Sequence, residues 1–383
     1  MKGIVFTRIG DVPEKVWDAL NAQGSVTMSR AFWSVVEQSD LNDFTYSHVL
    51  FLEDDDTPAG IVSFYSVTTD IAIFAPRSVR FLLNMVRGVW PGFLKLKMLE
   101  CGTPVTITSP PFVSSTSRER LLESIMDILQ QTARRDAHLL IILRDFEPNA
   151  QEFRDPLQKR GYHWIESLPN TYMDIVWASP EAYRQSMRSY YRSKLQKHLK
   201  RNTEAGVHHD LVVDFADMAD ILCRQWMVVH THAKEFQREV LTPEFYRTLS
   251  QEMGSDSKVL LFYKDEELVG HALLLMDGEM LRWLYVGREV AVNDSLYIYI
   301  AYSVIESAIL LGAKQLEMGL TTYAIKQDLG AEVVPIQMAL RATWSFINPF
   351  VGLGYRLLNH IPETHPRPVF KAAATKETHH DRR

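Results

Sequence analysis

Four side chains that can move protons or stabilise anions lie in the last third of the sequence: His271, Tyr297, Tyr323 and Lys326. A cation beside a developing oxyanion stabilises it, while a tyrosine can protonate a leaving group and a histidine can take a proton. These residue types favour a reaction with an oxyanion and a proton transfer. Each residue could instead have a structural role. Lys326 could be an ordinary solvated lysine, the two tyrosines could pack at helix starts, and His271 could be a buried histidine with its hydrogen bonds satisfied.

A second group of residues could bind an anion. Arg282, Tyr285 and Arg288 lie in or just after a predicted strand, and Asn293 and Ser295 precede a predicted helix whose free amides favour negative charge. Both polar residues could instead only cap that helix. Upstream, Arg184, Arg188 and Arg192 are spaced four apart within a stretch of seven Lys or Arg residues, from Arg184 to Arg201, that contains no acid. We expect this face, and Arg188 and Arg192 in particular, to contribute to donor binding, with a solvated linker helix as the alternative.

Metal binding is not expected. His230 and His232 are two apart on a predicted helix and therefore do not converge, and Cys101 and Cys223 are too few for a thiolate site. We expect both cysteines to be buried thiols in a reducing compartment. Glu317 is a further candidate base, acting through water.

Composition indicates a folded cytoplasmic protein without a transmembrane segment. The 383 residues are 46% hydrophobic and 23% charged, and Glu306 interrupts the longest apolar stretch. The net charge of −6 argues against DNA as a partner, and residues 202–345 carry 21 acidic against 11 basic side chains.

The order of predicted elements repeats. In the first half, strands at 46–51 and 60–67 precede an amphipathic region from Val79 to Trp90, a helix at 117–134 and a buried strand at 138–143. In the second half, strands at 268–276 and 280–286 precede a helix at 296–311 and a short strand at 315–318. We predict an α/β protein with mixed sheets, built from two similar domains joined by a basic helix. The predicted boundaries are 1–178, 179–201 for the helix, 202–345, and 346–383 for a C-terminal extension that ends in a mobile polar tail from Pro362.

The segment LRWLYVGREVAVNDSLYIYIAYSVIESAILLGAKQLEMGLTTYAIKQDLG, residues 281–330, resembles the second acyltransferase-like domain of the Fem and related peptidoglycan-biosynthesis proteins of the GNAT superfamily. The similarity rests on the following positions: Tyr285, Gly287, Asn293, Ser295, Leu296, Tyr297, Gly319, Tyr323, Lys326, Leu329 and Gly330. The basic stretch resembles the inter-domain element of that family. The first half matches only in outline, as a degenerate GNAT-like domain.

This resemblance implies two GNAT-like domains in tandem and an N-acyltransferase. In such enzymes the strand equivalent to 281–286 holds the acyl donor through its amides, and Lys326 is implied to contact the acceptor or the oxyanion. The donor would be a thioester such as acyl-CoA, used as a co-substrate and not as a bound cofactor. The acceptor would be an amine of a small molecule or of a cell-envelope or natural-product precursor.

One departure from the GNAT pattern concerns the donor. The paired glycines that usually let a backbone approach pyrophosphate are replaced here by REVAVNDSLY. A Fem-type transferase using aminoacyl-tRNA is therefore a second expectation, and a non-catalytic GNAT-fold binding protein is a third. Residues 344–358 mix aromatic side chains with two glycines; this segment either contacts a membrane or carrier protein, or packs back on its own domain.

Overall fold

A computed structural model describes residues 1–71, 81, 85–233, 239–358 and 361–371. These residues form two compact units. The first contains 1–168, 239–240 and the described part of 335–362, and the second contains 169–233, 241–334 and 363–371. The predicted amphipathic region 79–90 lies partly outside the described residues, and so does the end of the predicted tail, 372–383.

The first unit has an eight-stranded mixed sheet. Its main path runs β1-β2-β3-β4-β6-β15-β7, and β5 pairs with β3. The strands, numbered along the chain, are β1 Lys2–Phe6, β2 Thr45–Leu52, β3 Pro58–Asp70, β4 Lys95–Cys101, β5 Phe112–Ser114, β6 Leu140–Phe146, β7 His163–Glu166 and β15 Gln337–Ala342. The helices are α1 Glu14–Leu20, α2 Arg30–Gln38, α3 Arg118–Arg135, α4 Arg154–Lys159 and α11 Asn348–Leu358.

Local signals explain why α3 forms where the sequence predicts a helix. The Ser117 hydroxyl accepts a hydrogen bond from the Arg120 amide at its start. Its apolar residues recur every three to four positions, so Leu121, Ile125 and Leu129 share one face and are buried against the sheet.

The second unit has a seven-stranded sheet in the order β14-β8-β13-β12-β11-β10-β9. Its strands are β8 Asn170–Asp174, β9 His208–Val212, β10 Ser257–Lys264, β11 Glu267–Asp277, β12 Met280–Arg288, β13 Gln315–Glu317 and β14 Glu332–Val334. Its helices are α5 Pro180–Ser186, α6 Ser189–Glu204, α7 Ala219–His232, α8 Pro243–Met253, α9 Ser295–Leu310 and α10 Tyr323–Asp328. The predicted hairpin is β11–β12, and the predicted long helix is α9.

The two sheets have equivalent strand orders, and each contains one strand from the other half of the sequence. Strand β8 lies between β13 and β14 in the second unit, and β15 lies between β6 and β7 in the first. The compact units therefore differ from the predicted domains, which divided the chain at 178 and 345. Element order alone could not reveal the exchange, because it depends on long-range strand pairing.

The basic segment is two helices and not one. Ser179 caps α5 as predicted, by accepting from the Ala182 amide at 3.1 Å. Met187 then adopts an extended conformation, is fully buried, and forms a β-bridge with Phe370. Burial of Met187 interrupts the helix, so Arg184 and Arg192 lie on different helices. Arg188 occupies the position before the second helix without a side-chain capping hydrogen bond.

The C-terminal segment packs on the second unit as far as residue 371. This differs from the prediction of a mobile tail from Pro362. Val369 is in the core, and the Phe370 ring lies 4.8 Å from that of Trp177. Gly330, with a φ of +100°, makes room for it: a Cβ there would lie 2.3 Å from the Phe370 ring. The segment also reaches α10, since Gln327 donates to the His365 carbonyl at 2.9 Å.

Within the described ranges, no helix combines the length and hydropathy that a membrane span requires. In the same ranges, no cluster of His, Cys, Asp and Glu is arranged to hold a metal. Both cysteines are free and buried, as expected.

We expect Phe370→Ala to lower the free energy of unfolding by about 2–4 kcal/mol, because it removes an aromatic side chain from a packed cluster. Chemical denaturation would measure this. Phe350→Ala is the matched control, because Phe350 is 70% exposed and should change stability by less than about 0.5 kcal/mol. Equal effects of the two substitutions would contradict the docking of this segment.

Candidate functional site

The second unit has an open strand edge at the centre of its sheet. Strand β12 pairs with β11 up to Arg288, but on its other side β13 pairs in parallel only with Met280–Arg282. Among the strands that the structure describes, none continues this side of β12 beyond Arg282. From Trp283 onward, the side of β12 that faces away from β11 therefore has no strand partner in the described part of the chain.

A bulge distorts β12 at this position. Leu274 lies opposite Trp283 and Leu273 lies opposite Tyr285, so Leu284 is an extra residue on β12. The Trp283 indole donates to the Tyr285 carbonyl across the bulge at 3.0 Å. A bulge redirects backbone groups next to it, which suits a strand that must present amides to an oxyanion.

A strained loop lies beside this edge. Residues 318–322 connect β13 to α10, and Gly319, Thr321 and Thr322 all have positive φ, of 74°, 65° and 48°. A Cβ on Gly319 would lie 3.6 Å from the Trp283 carbonyl, so the loop runs next to the open part of β12. Left-handed conformations of non-glycine residues are costly, and they persist where surrounding contacts hold them.

Lys326 is one of those contacts. It is 2% exposed, and its Nζ donates to the Gly319 and Leu320 carbonyls, each at 2.8 Å. Burial lowers its pKa to about 7, while the Glu317 carboxylate acts in the opposite direction. Because a neutral amine has two N–H groups, both bonds can survive deprotonation and leave a lone pair. Lys326 thus positions the loop and lies near its titration point at neutral pH.

Tyr297 is the tyrosine that reaches the loop. Its hydroxyl is 2.7 Å from the Thr322 Oγ1, and its ring stacks on Trp283 at a centroid distance of 6.1 Å. Burial raises the pKa of Tyr297, which keeps the hydroxyl protonated and able to donate. The Tyr323 hydroxyl, by contrast, donates to the Pro169 carbonyl at 2.9 Å and is buried there. Thr322 and Trp283 were not foreseen as site residues.

The structure does not bring His271 to this site. It is fully buried between the Tyr246 hydroxyl and the Gln225 amide, at 3.1 and 3.0 Å. Burial lowers its pKa to about 3, so it remains neutral. Tyr285 also faces this side of the sheet, because its ring contacts those of Trp226 and Phe245 at 6.0 Å.

Arg282 belongs to a buried ionic network and not to a donor-binding surface. Its Nε donates to Asp277 at 2.8 Å, and its Nη1 contacts Glu317. Burial alone would lower its pKa, but the carboxylates of Glu317 and Asp277 raise it above the usual value. Glu317 also accepts from the Asn170 amide at 2.9 Å, so this candidate base is fully engaged. The network ends where β12 and β13 separate.

The start of α9 differs from the expected anion site. Asp294, and not Asn293 or Ser295, is the cap, since its Oδ1 accepts from the Leu296 and Tyr297 amides at 3.0 and 3.1 Å. Arg288 is paired with the same carboxylate at 2.8 Å. A carboxylate therefore occupies the place that a phosphate would take at this helix.

Ser295 and the predicted basic residues are placed elsewhere around α9. The Ser295 hydroxyl bonds His198 of α6 at 2.9 Å. Arg188 donates to the Phe370 carbonyl at 3.1 Å, which is a structural contact. The Arg192 guanidinium, by contrast, is partly exposed and has no ion pair with any described residue. The predicted anion-binding residues thus do not converge on one point.

At the corresponding strands of the first unit, the structure places a buried polar network. Strand β4 pairs in parallel with β6 only up to Cys101, as β12 does with β13. There Glu100 accepts from the Tyr65 hydroxyl at 2.8 Å, and Arg144 donates to that hydroxyl at 3.0 Å. Burial raises the pKa of Glu100 to about 7, with Arg144 acting to lower it. Each unit therefore has a buried polar network at the end of its parallel strand pair.

The model of the FemAB-like family, described as peptidoglycan biosynthesis and recognition, matches residues 8–324. The chain belongs to the FemAB-like family. Two curated relatives from Mycobacterium tuberculosis strains CDC 1551 / Oshkosh and ATCC 25618 / H37Rv, both named putative 8-amino-7-oxononanoate synthase 2, are 27% identical over 321 residues. The match covers 81% of this chain but 41% of those relatives, so the chain spans about two fifths of their length.

Solved structures show the same fold at low identity. FemX has a TM-score of 0.55 with 11% identity, and covers 88% of this chain and 97% of its own. L-PGS from Bacillus licheniformis scores 0.52 with 12% identity, over 91% and 98%. A tandem GNAT protein from the clavulanic acid pathway scores 0.50 with 10% identity, over 90% and 98%. The predicted tandem GNAT-like fold is thus confirmed, and membership of the FemAB-like family supports an acyltransferase-type enzyme.

The pKa of Lys326 leads to a pH-dependent stability. Between pH 7 and 10.5 the unfolded chain holds a proton on this lysine that the folded chain does not, so raising the pH disfavours unfolding. Relative to Lys326→Met, the wild type should gain up to about 1.4 kcal/mol in free energy of unfolding per pH unit in this range. Urea denaturation at several pH values measures it.

The control is Lys314→Met, which changes an exposed lysine of the same unit and should follow the wild type at every pH. A constant difference between wild type and Lys326→Met from pH 7 to 10 would contradict the lowered pKa. If Lys326→Met does not fold, NMR titration of the lysine side chains of the wild type gives the same information.

Proposed function

We propose that the chain is an N-acyltransferase and that its second unit joins an acyl group to an amine. The observation that carries the proposal is the open, bulged edge of β12 beside the loop held by Lys326. The edge offers amides to the carbonyl oxygen of the donor, and Tyr297 offers a hydroxyl to the leaving group. Lys326 supports the loop. Because its pKa is about 7, its neutral amine can also accept the proton that the attacking amine must lose.

The donor in this proposal is a thioester such as an acyl-CoA, used as a co-substrate. The fold supports it, because the structure of the tandem GNAT protein from the clavulanic acid pathway is described as being without AcCoA, which names that donor for that protein. The acceptor is an amine of a small molecule or of a cell-envelope or natural-product precursor. We place the reaction in the cytoplasm, where the donor occurs and where buried free thiols such as Cys101 and Cys223 persist.

A second donor, aminoacyl-tRNA, is favoured by two observations. Asp294 occupies the helix terminus at which a pyrophosphate would bind. In addition, Lys197 and Arg201 on α6 have no ion pair with any residue in the described part of the chain, and Tyr190, which is 68% exposed, falls on the same face of this helix, seven and eleven residues before them. Unpaired cations next to an exposed aromatic ring suit a nucleic acid, whose phosphates supply much of the binding energy.

Binding measurements separate the two donors. A thioester donor should raise the melting temperature at saturating acetyl-CoA or longer acyl-CoA. A tRNA donor should instead bind with an affinity that falls steeply with salt. Lys197→Ala combined with Arg201→Ala should reduce the salt slope by about 2, one for each phosphate that is no longer neutralised. If acyl-CoA gives no thermal shift while charged tRNA binds, the thioester donor is wrong.

Lys200→Ala is the matched control for this experiment. It removes one cation from the same helix, but Lys200 already pairs with Glu204 at 3.6 Å. A loss of binding in Lys200→Ala as large as in the double variant would indicate a diffuse charge effect instead of a tRNA site.

Comparison of metabolites between cells with and without the gene tests the activity itself. We expect an acylated amine that is absent when the gene is deleted and remains absent when Lys326→Met is supplied at wild-type abundance. If neither donor binds and Lys326→Met restores every difference, acyl transfer is wrong, and the chain is a non-catalytic binding protein with the GNAT fold.

A further inference from the structure

Two segments of the first unit expose large apolar side chains. In α11 and the turn before it these are Phe346, Phe350 and Leu353, which are 76%, 70% and 58% exposed. In the connection between β3 and β4 the exposed apolar residues are Phe81, Met85, Val86, Val89 and Trp90, with Val89 at 91%. Groups of exposed apolar side chains on this scale mark interaction surfaces.

Helix α11 is apolar on two sides. Ile347, Val351 and Tyr355 pack against the cluster of Tyr65, Val67, Met98, Leu140, Ile142, Leu340 and Ala342 on one face of the sheet. Phe350 and Leu353 are three residues apart and share a second side of the helix, and Phe346 is exposed in the turn before it. Only the first side of the helix packs against the core among the described residues, and the second side is exposed.

The β3–β4 connection is anchored at the same face of the sheet. The Ile71 amide donates to the Leu94 carbonyl at 3.0 Å, which joins the two ends of this connection. Ile71 and Leu96 pack against the same cluster as Ile347 and Val351. The two apolar segments therefore start from one face of one sheet.

Charge indicates what covers these segments. Residues 71–99 contain five basic side chains, Arg77, Arg80, Arg87, Lys95 and Lys97, and no acid; residues 344–358 contain only Arg356 and no acid. Arg87 is paired with Asp70, and Lys97 donates to the Asp136 carbonyl. Lys95 lies opposite Asp70 in the pairing of β4 with β3. Arg77, Arg80 and Arg356 add three positive charges that no acidic residue within either stretch of sequence offsets. Aromatic and aliphatic side chains among basic residues are typical of a surface that lies on anionic lipid.

We propose that the first unit docks on an anionic bilayer surface through Phe346, Phe350 and Leu353 of the α11 region and through Phe81 and residues 85–90 of the β3–β4 connection. The apolar side chains enter the interface between headgroups and acyl chains, and the basic side chains contact lipid phosphates. A second copy of the chain is a poorer occupant, since it would bring two segments that carry only positive charge together. This proposal holds for either acyl donor.

Vesicle co-sedimentation of the full chain tests the proposal. The chain should sediment with vesicles of phosphatidylcholine mixed with phosphatidylglycerol, and less with phosphatidylcholine alone. Phe346→Ser with Phe350→Ser, and separately Val89→Ser with Trp90→Ser, should each weaken binding about tenfold or more, since each removes two large apolar groups from the interface. Added salt should weaken the binding of the wild type.

The matched control is Leu310→Ser with Val290→Ser, which changes two side chains of the second unit that are 72% and 61% exposed. It should bind vesicles like the wild type. Circular dichroism and chemical denaturation verify that each variant is folded. The proposal is overturned if the wild type binds neither kind of vesicle, or if the control loses as much affinity as the patch variants. A dimer in solution that the patch variants dissolve would likewise overturn it and assign the surface to a second copy.

Discussion

The site depends on a strand that comes from the other half of the sequence. Strand β8 lies between β13 and β14. The residues at its start, 169–171, form hydrogen bonds with β13, with the 318–322 loop and with α10. Asn170 donates to Glu317, the Thr171 hydroxyl donates to the Gly319 carbonyl, and the Pro169 carbonyl accepts from Tyr323. The strained loop is therefore held on both sides, by Lys326 on one and by β8 on the other. Without β8, the end of β13 and the loop would lack these hydrogen-bond partners.

Buried charge is the second constraint on this region. Arg282, Asp277 and Glu317 are nearly inaccessible to solvent, and each contacts an opposite charge. Removing one partner from such a group costs about 3–5 kcal/mol, because a buried charge is then left uncompensated. The Arg282–Glu317 ion pair joins the last paired residues of β12 and β13. The two strands separate immediately after it. The catalytic proposal depends on this separation, since the open edge begins at the next residue.

Membership of the FemAB-like family supports an acyltransferase-type enzyme. The placement of the reaction in the second unit is our proposal and rests on local geometry, and two donors are left to be separated by binding. The fold is shared with proteins whose sequences are only 10–12% identical. The identity of the donor therefore depends on a few contacts, chiefly Asp294 at the start of α9 and the unpaired cations of α6. The apolar surface of the first unit is independent of these contacts.

Local signals in the sequence were sufficient for the elements. The cap at Ser179, the apolar periodicity of α3, the apolar stretch of α9 and the turn between β11 and β12 were predicted, because capping and hydrophobic patterning act within a few residues. The resemblance singled out Lys326 and Tyr297, and both contact the loop at residues 318–322; their catalytic role stays a prediction. Tertiary structure alone decided that His271 is buried, that Met187 breaks the basic helix and that β8 and β15 change units. Each of these outcomes depends on burial or pairing between residues far apart in the chain, which no local pattern records.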